Sequence, residues 1–159
     1  MTRQINIIDT TLREGEQSPG VLFSKSDKKT IIDGLVKIGI TEAEVGIASE
    51  LQADCASIIN YCREKYPRLK LSLWSRCKKQ DIAYAAVRQP DIISLSIPVS
   101  EIHLVDRLGK DRRWARETMV ESIEYARSLG MAVSVGFEDA TRCDLKFRYN
   151  GEKYGHFTY

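Results

Sequence analysis

Five short apolar runs alternate along this chain with longer amphipathic stretches, and that alternation constrains the fold more than any other feature. Ile5, Asn6, Ile7 and Ile8 form a β-branched run that reads as a first strand. The stretches 43–45, 69–74, 92–97 and 132–137 read as four more. Between them the period changes. Ser24 with Asp27 three residues on is an N-terminal helix signal, and Ile31, Ile32, Leu35, Val36 and Ile38 follow at helical spacing until Gly39. Cys55, Ile58, Ile59, Cys62 and Tyr66 share a face of a second helix, stopped by Pro67. Residues 80–88 and 113–129 read as two more helices, the last closed by Gly130. A βαβαβαβαβ order of this kind calls for a parallel sheet covered by helices. Two architectures satisfy it: an open doubly wound sheet, and a closed eight-stranded barrel. A whole barrel needs about 250 residues. The 159 residues here supply about half of one.

Composition narrows the function classes. With 43% hydrophobic and 29% charged residues, the chain has ordinary globular make-up and enough length for a core. Twenty-four basic against 22 acidic residues leave a net charge of +2. The basic pairs Lys28-Lys29, Lys78-Lys79 and Arg112-Arg113 read as solvated helix faces, too dispersed for a nucleic-acid partner. No apolar stretch has the length of a membrane span, and no signal-peptide region opens the sequence. Cys55, Cys62, Cys77 and Cys143 fit neither a C-x-x-C nor a zinc pattern, which leads to an expectation of reduced thiols in a cytoplasmic protein. Cys55 and Cys62, one heptad apart, read as packing residues.

In parallel α/β proteins functional groups collect at the carboxyl ends of strands. Strand one ends in Asp9-Thr10-Thr11-Leu12-Arg13-Glu14-Gly15-Glu16-Gln17-Ser18-Pro19-Gly20. Asp9 and Glu14 offer hard oxygen donors for Mg²⁺ or Mn²⁺, and Arg13 is a permanent cation suited to a developing oxyanion. The competing reading is an ion-paired loop with Asp9 capping a turn. Glu44 sits inside a strand that should be buried, so it needs a partner: it either pairs with Arg13 or orients substrate. Glu138-Asp139 form a second acidic cluster after strand five. His103 and His156 lie in no H-x-H or H-E-x-x-H pattern and read as surface or packing residues, and no phosphate-binding glycine loop is present.

The strand-one segment closely resembles the signature of the homocitrate synthase and isopropylmalate synthase family, metal-dependent barrels that make carbon–carbon bonds. Glu44-Val45-Gly46, the segment 94–104 and the segment 133–140 agree with it in order, so the resemblance covers about residues 4–144. The wording of the last two segments is most similar to homocitrate synthases of the nitrogen-fixation type. The resemblance implies the N-terminal half of a (β/α)8 TIM barrel, with residues 1–144 as the partial catalytic domain and 145–159 as an atypical tail. It implies an acyltransferase that condenses acetyl-CoA with a 2-oxo acid, 2-oxoglutarate to homocitrate first, with isopropylmalate or citramalate synthesis as alternatives. By the same resemblance Glu14 matches a ligand of a divalent metal (Mg²⁺ or Mn²⁺), Arg13 the catalytic arginine, and Gln17, Glu44 and Glu138 substrate-pocket positions. Two departures stand out. The family's H-x-H ligand pair has no counterpart here, and the tail has neither a helical nor a strand period. The chain alone is therefore expected to be inactive, and to pair with a second copy or with a complementary C-terminal half. A half-barrel that only binds or oligomerises is the alternative.

Overall fold

The computed structural model describes residues 6–50, 52 and 54–144. It contains β1 (Ile8–Asp9), α1 (Lys25–Lys37), β2 (Glu42–Ile47), α2 (Cys55–Lys65), β3 (Lys70–Arg76), α3 (Lys79–Arg88), β4 (Ile92–Pro98), α4 (Arg112–Ser128) and β5 (Ala132–Glu138). The five strands form one parallel sheet in the order β1-β2-β3-β4-β5, curled into half of a (β/α)8 barrel. This is the expected half-barrel and not the open doubly wound sheet, because successive strands lie side by side without a reversal of order.

Residue alternation sets the layers. In β4, Ile93, Leu95 and Ile97 are buried, while Ser94 and Ser96 are only half-buried on the concave side. The buried set joins Leu71 and Leu73 of β3, Ala43 and Val45 of β2, and the inner faces of the helices in one core. Cys55 and Cys62 are buried in that core, as their spacing predicts. The start of α1 carries the predicted cap: the Asp27 amide donates to the Ser24 hydroxyl, and Asp27 accepts from the Ser24 amide. Gly39 takes the left-handed turn expected of it, at φ 92°.

Gly46 has a different task. A Cβ there would lie 2.5 Å from Cys55 Sγ and 2.9 Å from Gln52 Oε1, so β2 and the start of α2 approach too closely for a side chain. The β2–β3 register slips between Glu44 and Ile47, around this glycine.

Three expectations need correction. The apolar run predicts a first strand at 5–8; among the described residues the pairing covers only Ile8 and Asp9, and Ile7 is exposed, because β2 begins at Glu42, opposite Ile8 (Ile5 lies outside the described residues). Lys28 is not on a solvated face but only 3% exposed, for reasons given below. Between β4 and α4 the sequence pattern gave no element, yet residues Ile102–Arg107 form a wide π-type turn with Leu104 buried beneath it. No helix among the described residues is long and apolar enough to cross a membrane. The tail 145–159 and His156 lie outside the described residues.

Candidate functional site

The loop after β1 folds back over the carboxyl ends of the strands. The amides of Arg13 and Glu14 both donate to the Thr10 carbonyl, at 3.0 and 2.7 Å, which closes a tight turn. Asp9 holds the start of that turn by accepting from the Thr11 amide and hydroxyl, at 2.9 and 3.1 Å. Of the two readings of Asp9, the turn cap is the one the geometry supports. Leu12, 1% exposed, pins the turn into the core.

This turn aims Arg13 across β2. Its Nε donates to Glu44 Oε1 at 2.5 Å, and another guanidinium nitrogen pairs with the Glu14 carboxylate. The Glu44 side chain is only 6% exposed and that of Arg13 18%, so the charge inside β2 is compensated as burial requires. The guanidinium also stands 5.9 Å from the centre of the Trp74 ring on β3.

Arg13, Glu44 and Trp74 share one hollow of about 310 Å³ on the concave face with Thr10, Ser94, Ser96, Ser134 and Glu138. Register aligns its floor: Trp74 lies opposite Ser94, and Ser94 opposite Ser134. The Ser96 hydroxyl donates to Glu138 Oε1 at 2.7 Å. The hollow thus presents one guanidinium, two carboxylates and a row of hydroxyls beside an aromatic wall. That mixture suits a small molecule with polar oxygens, for which Arg13 is the one permanent cation in the lining.

The other sequence candidates divide. Glu14 is beside Arg13, but its side chain is 59% exposed and does not line the hollow. Gln17 ends a short 3-10 turn (Gly15–Gln17), is exposed, and is not brought to the hollow. The pair Glu138-Asp139 splits: Glu138 faces the hollow, whereas Asp139 accepts from Arg142 Nε through both oxygens, at 2.7 and 2.9 Å. Arg142 beside Asp139 holds its carboxyl below the usual range. His103 is half-buried on the wide turn.

The donor set does not amount to a metal centre. Among the described residues no group of three His, Cys, Asp or Glu side chains could hold a metal ion, and the Glu14 carboxylate is already paired with Arg13. A thiol nucleophile is equally unsupported, since burial pushes Cys55, Cys62 and Cys77 up to about 11.

Sequence reasoning missed Lys28. It reaches from α1 to Glu16 in the loop, at 2.9 Å, and to Asp54 just before α2, at 2.7 Å. Burial works to lower its pKa, but the bonds to Asp54 and Glu16 outweigh that, and the net shift is upward. No local pattern marks such a residue. Ser94 and Ser96 were missed as well, though their alternation with Ile93, Leu95 and Ile97 is a signal that could have found them.

With this geometry in hand, likeness to known proteins is informative. A family model described as HMGL-like matches residues 4–153. The chain belongs to the HMGL-like family. Among its relatives, a homocitrate synthase from Frankia alni is 38% identical over 143 residues, covering 90% of this chain and 40% of that protein. A 2-isopropylmalate synthase from Caldanaerobacter subterraneus is 34% identical over 145 residues, covering 91% and 38%. The two lie so near each other that neither subfamily stands out within the HMGL-like set. The structure of an HMG-CoA lyase from Acinetobacter baumannii, in complex with coenzyme A and 3-methylmalate, matches with a TM-score of 0.74. It covers 96% of this chain and 54% of that one at 11% identity, a likeness of fold. The chain spans about 40% of the length of these two synthases.

Proposed function

We propose that this chain carries the N-terminal half of an acyltransferase site that condenses acetyl-CoA with a 2-oxo acid, 2-oxoglutarate foremost. The observation that carries the reading is Arg13, fixed by Glu44 and placed in a polar hollow with Glu138 at the strand ends of an HMGL-like half-barrel. When acetyl-CoA, its methyl group having lost a proton to a base, adds through that carbon to the keto carbon, the carbonyl electron pair moves onto the keto oxygen, which gains negative charge; water then cleaves the thioester and releases the thiol. A guanidinium already held in place stabilises that charge without reorganising. Glu44 serves Arg13, setting its orientation and offsetting its charge. The hydroxyls of Ser94 and Ser134 would donate to the oxygens of the 2-oxo acid, while Glu138, held by the Ser96 hydroxyl and able only to accept, and Trp74 bound the hollow beside it. Homocitrate synthesis is put first because the segments after β4 and on β5 are worded like the nitrogen-fixation enzymes. Isopropylmalate or citramalate synthesis is the alternative within the same chemistry.

The described residues do not complete a metal site. A second reading is a non-catalytic half-barrel that only binds or oligomerises. Release of free thiol from acetyl-CoA decides between them. It is measured with 2-oxoglutarate, 2-oxoisovalerate and pyruvate, with and without Mg²⁺ or Mn²⁺. The proposal expects release only when a complementary half-barrel is supplied, and its loss in Arg13→Lys. Release that ignores Arg13→Lys contradicts it, and no release with any 2-oxo acid in the completed barrel favours the binding-only reading.

A further inference from the structure

Lys28 is a nearly buried charge that the proposed chemistry does not use. We propose that it is a positioning residue, which clamps the loop carrying Arg13 and Glu14, through Glu16, against the start of α2. The inference rests on the reading of Arg13 and Glu14 as site residues and deepens it.

The loop runs from Thr10 to Ser24 and has to hold a guanidinium over β2. Its inner half is fixed: Leu12 is buried, and Arg13 is bonded to Glu44. With those anchors alone, the outer half would pivot about Arg13. Glu14, mostly exposed and paired with Arg13, would pivot with it. Glu16 prevents this. It lies in the turn Gly15–Gln17, and its carboxylate meets Lys28 Nζ at 2.9 Å, with its side chain 12% exposed. The same Nζ donates to Asp54 at 2.7 Å. One ammonium thus ties three separate segments: the loop, α1 and the residue preceding α2.

A buried ion pair is a poor way to gain stability, because desolvation consumes most of the attraction, whereas it specifies geometry well. Lys28 meets that description. Its removal leaves two carboxylates short of a cation, one of them in the loop that bears the site.

Amide hydrogen exchange on the whole chain tests the clamp without turnover. Glu16→Gln removes the charge on the loop side and leaves Lys28 bonded to Asp54. The expected result is exchange about tenfold faster at the amides of Glu14, Gln17 and Ser18, with Arg13, β3, β4 and β5 unchanged. Lys28→Met should give the same loop effect and also loosen the first turn of α2. Unchanged loop amides in Glu16→Gln overturn the clamp. So do loop and sheet amides that rise together, since that pattern means lost stability and no local hold. If Lys28→Met does not fold, Glu16→Gln still decides. A failed exchange result leaves the proposed condensation untouched, and a failed condensation assay leaves the clamp untouched.

Discussion

Arg13 holds its charge between two carboxylates, Glu14 and Glu44, and beside the Trp74 ring. A lysine has one point charge and no planar fork, so it cannot reproduce that arrangement. Arg13→Lys is expected to leave the thermal midpoint within a few degrees of the parent while lowering condensation by the completed barrel at least about a hundredfold. Glu44→Gln acts on stability instead. It strands a largely buried guanidinium, and urea denaturation should show a loss of about 3 kcal/mol, the low end for a broken buried pair because Glu14 remains beside Arg13. Gly46→Ala tests the close approach of β2 to α2. The added carbon collides with Cys55 and Gln52, and the expected loss is about 1–3 kcal/mol. Combining it with Cys55→Ala should recover part of that loss, since one colliding sulfur is then gone.

At the scale of elements, α1 and α2 are joined across their outer faces by one carboxylate. Asp33 accepts from the hydroxyls of Tyr61 and Tyr66 and from Lys65, at 2.6, 2.8 and 2.9 Å. These bonds, led by Tyr61, lower its pKa to about 2. A carboxyl depressed on folding stabilises the fold fully above its unfolded value, near 3.8, and that contribution fades as the pH falls toward 2. Urea midpoints measured from pH 6 down to pH 2 should therefore decline in that window, with a shallower decline in Asp33→Asn. An equal decline in both proteins would assign the acid sensitivity elsewhere. Much of this level is written locally in the sequence. Ser24 and Asp27 lie three residues apart, and both halves of the cap form. Ser94 and Ser96 alternate with buried neighbours, so the polar face of β4 could be read directly. Lys28 could not, since its partners stand 12 and 26 residues away and only the folded loop brings them together. The place of Gln17 is likewise set by the turn at Gly15–Gln17, where it is exposed, and no periodicity records that.

The whole sheet ends in two strands with one neighbour each, β1 and β5, so their outer ladders are unpaired among the described residues. Parallel strands normally have both neighbours, and open ladders recruit others. Sedimentation of the purified chain should show association that grows with concentration, and a stable monomer throughout would contradict this. The incomplete barrel also explains why the sequence reveals the arginine end of the site more clearly than a metal end. Arg13, Glu44 and Glu138 meet within five strands, whereas the carboxylate of Glu14 finds no further donors there. The central claim, that this hollow takes a 2-oxo acid through Arg13, is tested most directly by the emission of Trp74. In a Trp114→Phe background Trp74 is the only tryptophan, and it lines the hollow. Titration with 2-oxoglutarate should change its emission saturably, and the change should vanish in Arg13→Ala. A saturable change of the same size and midpoint in Arg13→Ala, or none in the parent, would contradict the claim.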